Sequence, residues 1–203
     1  MKQLRQYIRQ ILLTEAAKTH HDIPDGYWIG MREADGEWAR WEIMKGSPSY
    51  YKEAYPPEDS IYGHIEIGKV HKNYYGNCLD AWNIRLSKAA DGFGPMLYDL
   101  AIEYATDAGS GLISDRGQVM PPAHAVWEFY DLYRDDVEKI QLDNLEDSFN
   151  NGPEDDCDQG VNSFERSGNK KPWMESALSK MYRAKYSGKI KELEKLGKLI
   201  KIK

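Results

Sequence analysis

The spacing of apolar positions along the chain predicts a helix followed by a set of strands. Residues 4–18 repeat apolar side chains at helical spacing, which predicts an amphipathic helix. Aromatic and β-branched runs at 27–32 and 38–44 flank a turn with an Asp-Gly pair, which predicts a β-hairpin. Apolar residues alternate with polar ones over 61–70 and recur over 79–88, so two more strands are expected.

After the fourth strand the pattern changes to helices separated by short strands. Residues 89–95 hold two glycines and a proline and predict a turn, which leads into a helix over 96–107. A short strand is expected at 112–114, a second helix at 122–134 and a further strand at 138–142. The side chains of the second helix that are spaced for burial are Ala125, Val126, Phe129 and Leu132.

Composition divides the chain into three parts. Residues 1–22 are the N-terminal amphipathic helix, residues 23–143 the core, and residues 144–203 an extension. The extension starts with an acidic stretch at 146–160, rich in Asn, Asp and Gly, which is typical of a mobile loop. Helical spacing returns over 164–203 and predicts a helical tail. The expected fold class is therefore α/β (α+β), with a sheet flanked by helices.

Composition and charge exclude several classes of protein. Hydrophobic residues make up 41% of the 203 positions, which is enough for the core of one globular domain. The net charge of −6 argues against a nucleic-acid partner, because such proteins usually carry a basic face. The chain has no run of 18 apolar residues, so no membrane span is expected.

Cysteine and histidine usage predicts neither a disulfide nor a metal site. Cys78 and Cys157 lie far apart and lack the paired spacing of a zinc site or a disulfide framework. We therefore expect reduced thiols and a cytoplasmic location. His20 and His21 have no third ligand at a suitable spacing, so no metal is expected.

The segment with the clearest chemistry is the glycine turn at 89–95 and the helix that comes after it. A helix N-terminus exposes unpaired N–H groups and the positive end of its dipole, which favours anions. Gly92 and Gly94 let a phosphate approach the backbone, and Pro95 suits the first helical turn. A tight turn without a ligand is the alternative. A Rossmann motif is excluded, because Leu97 occupies the position of its third glycine.

At this turn the sequence resembles the Gcn5-related N-acetyltransferases. Residues 92–97, Gly-Phe-Gly-Pro-Met-Leu, resemble the family's Arg/Gln-x-x-Gly-x-Gly/Ala motif, and residues 123–127 resemble its next helix. The resemblance implies a mixed, mostly antiparallel, splayed sheet with acyl-coenzyme A wedged between two strands. Two positions depart from the pattern. Ala89 replaces the motif's Arg or Gln, and Trp127 replaces the family's frequent general acid, a tyrosine.

The same resemblance implies the site residues. The backbone of 86–88 would bind the pantetheine arm, and the amides of 91–96 would bind the pyrophosphate. Tyr130 lies three residues after Trp127 and could replace the missing general acid. Glu66 and Asp115 are candidate bases near strand ends. The expected coenzyme contacts are Leu86, Ser87, Lys88, Asp91, Gly92, Phe93, Gly94, Pro95, Met96 and Trp127.

The resulting hypothesis is an N-acetyltransferase that uses acetyl-CoA and modifies an amine of a small molecule or protein, without a metal. The alternative is a catalytically inactive protein of the same fold that binds a partner or belongs to a phage virion. Leu-Thr-Glu-Ala at 13–16 resembles the sites that prohead proteases of large tailed phages cleave. Association with a phage head, a location in the virion and a homodimer therefore stay open, as does a nucleotide-binding protein of another α/β class.

Overall fold

The computed structural model describes residues 18–48, 60–90, 92–115, 117–143, 152, 156–158 and 173–202. The helix expected at 4–18 lies outside these ranges except for its last residue. Asp91 and most of the acidic stretch at 146–160 also lie outside them.

The described residues form eight strands and four helices. The strands are β1 (Tyr27–Ala34), β2 (Trp38–Lys45), β3 (Ile61–Lys69), β4 (Trp82–Ala89), β5 (Leu112–Ile113), β6 (Val137–Gln141), β7 (Lys180–Ala184) and β8 (Leu199–Ile202). The helices are α1 (Lys72–Tyr75), α2 (Gly94–Ala108), α3 (Pro121–Tyr133) and α4 (Lys189–Lys195).

All eight strands belong to one open sheet with the order β6-β7-β5-β4-β3-β2-β1-β8. Neighbouring strands are antiparallel except for the pairs β4–β5 and β1–β8, which are parallel. The prediction of a mixed, mostly antiparallel sheet with helices is therefore confirmed. The hairpin is confirmed as well: Ala34 pairs with Trp38, and Asp35 and Gly36 between them have φ values of 51° and 68°.

One face of the sheet packs against α2 and forms the main core. Ile65 and Ile67 of β3 are fully buried there, as their alternating spacing predicts. Tyr104 of α2 meets the rings of Trp41 and Trp82 edge-on, at centroid distances of 5.2 and 5.3 Å. The opposite face of β2 and β3 carries the alternate side chains, several of which are polar or charged.

The buried side of α3 differs from the expected one. Leu132 was expected to be buried but is 56% exposed, whereas Trp127 and Tyr130 are 1% and 0% exposed. The helix is rotated toward its aromatic residues, because these fill the space next to Tyr98 of α2 and Tyr182 of β7. Burying large rings gains more free energy than burying one leucine.

The helical tail expected over 164–203 is wrong for most of the residues described there. Only α4 is helical over more than one turn, and it ends before Gly197, whose φ of 64° favours glycine. β7 pairs with β6, and β8 adds to the sheet edge along β1. Apolar spacing over these short segments fits the period of a helix as well as that of a strand. Pairing with distant strands decides in favour of strands.

The expectation of free thiols is also wrong, because Cys78 and Cys157 form a disulfide across 79 residues of sequence. Buried Asp143 brings the second cysteine into place: its carboxylate accepts hydrogen bonds from the backbone N–H groups of Asp156 and Cys157. The Asp156 carbonyl in turn accepts from the Cys78 N–H at 3.0 Å. The cytoplasmic expectation, which rested on reduced thiols, loses that support.

We expect loss of this disulfide to lower the free energy of unfolding by about 2–4 kcal/mol, because the closed loop is long. Cys78, Leu79 and Asp80 all have positive φ, a strained conformation for residues other than glycine. The disulfide holds this strained segment in place, so its loss should lower stability further. Urea unfolding with and without reductant measures the change. The Cys78→Ser/Cys157→Ser protein serves as control, since reductant should not shift its midpoint. Equal midpoints for oxidised and reduced wild-type protein would contradict the prediction.

Candidate functional site

The glycine turn lies directly before α2, and there is space at the N-terminus of this helix. Gly92 has a φ of 85°, a conformation that glycine adopts without strain. The N–H of Phe93 donates to the Ala90 carbonyl at 3.1 Å, and the buried Phe93 ring anchors the turn. A Cβ built on Gly94 would meet nothing within 4 Å. There is therefore space beside Gly94 at the start of α2, and the positive end of a helix dipole favours an anion in such a place.

A cation that the sequence did not reveal lies against this turn. The backbone N–H of Lys18 donates to the Gly92 carbonyl at 2.9 Å. Its Nζ lies 3.7 Å from the centroid of the Phe93 ring, within the range of a cation–π contact. Lys18 thus places a positive charge beside the turn, where Ala89 supplies none. Sequence spacing gave no sign of it, because the contact joins distant parts of the chain.

The sheet opens next to the glycine turn. β4 and β5 pair only at Trp82–Leu112 and Asn83–Ile113. β4 continues to Ala89 while pairing with β3 on its other side. Among the described residues, no strand pairs with the β5 side of β4 beyond Asn83, so the backbone edge of its second half runs unpaired toward the turn.

A β-bulge interrupts the pairing of β4 with β3. Glu66 pairs with Leu86 and Ile67 with Ile84, so Arg85 is the extra residue. Its guanidinium lies over Gly68, where an added Cβ would collide with the Arg85 Cζ. This part of β4 contains three of the expected coenzyme contacts. Leu86 is 49% exposed, Lys88 is exposed, and Ser87 Oγ lies 3.3 Å from the Tyr98 hydroxyl of α2.

A charged cluster lies on the polar face of β2 and β3, one strand away from the bulge. Arg40 bridges two carboxylates, with 2.8 Å from Nη2 to Glu42 Oε1 and 3.4 Å from Nη1 to Glu66 Oε2. Glu66, an expected base, is therefore already engaged by a cation. Glu42 is 5% exposed, and its ion pair with Arg40 offsets part of the cost of burying it.

His64 lies beside this cluster and was missed in the sequence. It pairs in register with Lys88 of β4. Its Nε2 is buried and has no hydrogen-bond partner in the part of the chain that the structure describes. Burial, together with the charge of Arg40, lowers the pKa of His64 below 6.5, so the imidazole is neutral at pH 7. A neutral imidazole can accept a proton, and alternation along β3 was the only signal that set this side chain on the polar face.

The other expected site residues have structural contacts. Asp115 follows β5, where β4 and β5 part, and its Oδ1 accepts a hydrogen bond from the Gly117 N–H at 2.7 Å. Trp127, an expected coenzyme contact, is 1% exposed and lies between the rings of Tyr98 and Tyr182, at centroid distances of 5.3 and 4.9 Å. A structural role accounts for both residues, and their functional roles stay predictions.

Tyr130 of α3 is buried against α2. It is 0% exposed, and its hydroxyl donates to Asp99 Oδ1 at 2.5 Å. Burial, and then the charge of Asp99, raise the pKa of Tyr130 well above 10. A phenol that holds its proton so firmly is poorly suited to give it to a thiolate. Its role as general acid stays a prediction that its surroundings do not favour.

We expect Tyr130→Phe to lower the free energy of unfolding by about 1–2 kcal/mol, because Asp99 loses a buried donor. Arg134 still donates to Asp99 at 2.8 Å, which limits the loss. Thermal unfolding measures the effect, and Tyr133→Phe, on the exposed side of the same helix, is the matched control. A normal melting temperature together with a large fall in turnover would instead support the general acid.

Two cavities of about 280 Å³ each lie elsewhere on the molecule. One is lined by residues of β1, α2 and α4, among them Glu33, Tyr104 and Lys191, and the other contains His20, His21 and Glu192. Neither cavity includes a residue of the glycine turn. The helices of the described ranges are each too short or too polar to span a lipid bilayer.

Comparisons with known proteins give no assignment. No protein-family model matches the chain, and no match was found among curated proteins or among solved structures.

Proposed function

We propose that the chain is an acyl-CoA-dependent N-acetyltransferase that transfers an acetyl group to an amine of a small molecule or protein. One observation carries the proposal: β4 leaves β5 after two residue pairs and then runs into the glycine turn at the start of α2. Coenzyme A has an extended arm with amide groups, followed by a pyrophosphate. An unpaired strand edge followed by a helix N-terminus offers partners to both groups, in that order.

The arm would bind to the backbone of 86–88, which follows the bulge at Arg85 and lies beyond the last residue pair with β5. The pyrophosphate would lie at the N-terminus of α2, held by the amides of Gly94 and Met96 and by the helix dipole. Lys18 supports this placement, because its charge offsets the motif's missing Arg or Gln. Asp91, an expected contact, lies outside the described residues.

The reaction requires a base, a hydrogen-bond donor to the oxyanion and a proton for the leaving sulfur. The base first takes a proton from the bound amine, whose nitrogen then attacks the thioester carbonyl carbon. The C–S bond breaks, and the leaving thiolate takes up the proton that the nitrogen loses after the attack. Backbone N–H groups at the β4 bulge are candidate donors to the oxyanion. We assign the base to His64, because it is neutral at pH 7, whereas Arg40 engages Glu66.

The amine is proposed to be cationic before it reacts. The chain carries a net charge of −6. A net negative charge attracts an ammonium group and raises its local concentration. The base takes one proton from the bound ammonium before the nitrogen attacks, and the second proton that the nitrogen loses goes to the leaving sulfur.

The alternative is a protein of this fold that has lost catalysis and serves as a binding or virion-associated module. Its support is the packing of α3, because the aromatic residues at the expected acid positions, Trp127 and Tyr130, both belong to the core. A binding module would need the fold and the surface, but neither a base nor a general acid.

Calorimetric titration with acetyl-CoA, followed by an assay of thiol release over a panel of amines, tests the proposal. The chain has two cysteines and both form the disulfide, so any new thiol comes from coenzyme A. We expect saturable binding, a higher melting temperature with ligand and thiol release with cationic amines. No thermal shift at millimolar acetyl-CoA would contradict the coenzyme site. Binding without thiol release from any amine would favour the alternative.

A further inference from the structure

We propose that His20, His21 and Glu192 form a binding site for a divalent transition metal, with Zn²⁺ as the ion of best fit. The sequence offered the two histidines but no third ligand at a suitable spacing. Folding supplies it, because α4 brings Glu192, which lies 172 residues after His20, against the histidine pair. The proposal is independent of the acetyltransferase assignment, since none of these residues belongs to that site.

The donor atoms are spaced as a metal ion requires. His20 Nε2 lies 2.9 Å from Glu192 Oε2, and His21 Nδ1 lies 3.8 Å from Glu192 Oε1. All three donor groups have ligand atoms within 4.8 Å of one another. A tetrahedral zinc ion holds its ligands at about 2.0–2.2 Å, which puts neighbouring donors roughly 3.3–3.6 Å apart. The two distances, which involve different oxygens of Glu192, fall on either side of this value.

The donor set selects the class of metal. Two imidazole nitrogens and one carboxylate oxygen suit Zn²⁺ and related ions such as Ni²⁺ and Cu²⁺. Ca²⁺ and Mg²⁺ prefer sites made entirely of oxygen ligands. Three protein ligands leave a fourth position for water or a further ligand. The adjacent cavity of about 280 Å³ has room for it, and Tyr186 and Lys189 are among its lining residues.

Both elements that carry the ligands are held in place without a metal. Asp22 accepts hydrogen bonds from the backbone N–H and the hydroxyl of Thr19, at 2.9 and 2.7 Å, which closes the turn that carries the histidines. On the other side, the buried carboxylate of Glu103 accepts from the N–H groups of Gly188, Lys189 and Ile190 and fixes the start of α4. A site formed by fixed elements loses little entropy on binding.

A metal at this site would tie the segment before β1 to α4. That segment also contains Lys18, which lies against the glycine turn. The ion is therefore proposed to be structural: it would hold the start of the described chain against its C-terminal part.

The test is a calorimetric titration of ZnCl₂ into the chelator-treated, oxidised full-length protein. We expect one ion per chain and a higher melting temperature in the presence of Zn²⁺ than of Mg²⁺. His21→Ala should weaken zinc binding at least tenfold and should still fold, because the His21 side chain is 59% exposed. Glu192→Gln should weaken it likewise, since it keeps the shape of the side chain but removes the charge.

Two matched controls separate this site from adventitious binding. Glu194→Gln changes an exposed carboxylate on the same helix that pairs with Lys201, and His71→Ala removes an exposed histidine elsewhere. Both are expected to bind zinc as the wild type does. The proposal is overturned if wild-type protein binds no stoichiometric Zn²⁺, or if His21→Ala and Glu192→Gln retain wild-type affinity.

Discussion

Gly94→Glu is expected to weaken acetyl-CoA binding about a thousandfold or more. The new carboxylate would start at the mouth of α2, where the pyrophosphate is proposed to lie, and like charges in contact cost several kcal/mol. Each 1.4 kcal/mol corresponds to about a tenfold change in affinity. Calorimetric titration of the variant with acetyl-CoA and with coenzyme A measures the loss.

The variant should still fold, which makes the result interpretable. A Cβ at Gly94 meets nothing within 4 Å, and its φ is not in the left-handed region. A glutamate in the first helical turn interacts favourably with the helix dipole. The melting temperature should therefore not fall, and Gly94→Ala should bind the coenzyme nearly as well as wild type. Full affinity in Gly94→Glu would place the pyrophosphate elsewhere.

His64→Gln is expected to lower kcat about 10²–10⁴-fold, which is the usual contribution of a general base. The KM for acetyl-CoA should change little, because the side chain lies on β3 rather than along the β4 edge. The pH profile is a second readout. Because burial and Arg40 lower the pKa of His64, wild-type kcat/KM should stay level at pH 7 and fall only as the pH drops through that lowered pKa.

The matched control is Glu66→Gln, two residues along the same face of β3. If His64 is the base, this change should lower kcat much less and should keep the acidic limb of the pH profile. In His64→Gln that limb should disappear. Normal turnover in His64→Gln would contradict His64 as the base. So would loss of the acidic limb of the pH profile in Glu66→Gln alone, and either result would make Glu66 the base instead.

Sequence patterns predicted the elements whose neighbours are close along the chain. The hairpin β1–β2 was predicted because Asp35 and Gly36 favour a turn that matches the twist of the strands. Strand β3 and helices α2 and α3 have enough residues for a clear period. The C-terminal strands β7 and β8 were missed, because the apolar spacing there also fits a helix and their partners lie far away in sequence.

The candidate site also has one part that the local sequence predicts and one part that it does not. The glycine turn and its helix were predictable, because the signal is a local run of residues. Lys18 and the cluster of Arg40, Glu42 and His64 were not, because each acquires its role only when distant strands and loops come together. The disulfide was missed for the same reason, since spacing along the chain says nothing about distance in space.

The bond between Cys78 and Cys157 makes a covalent ring of the chain that it encloses. β4, the glycine turn, α2 and α3 all lie within this ring. A protease that cuts once at 144–151, which also lies inside, would leave the two fragments joined, and they would separate on a gel only after reduction. The part of the chain that contains the proposed acetyl-CoA site would then be joined covalently to the C-terminal part through the cystine alone.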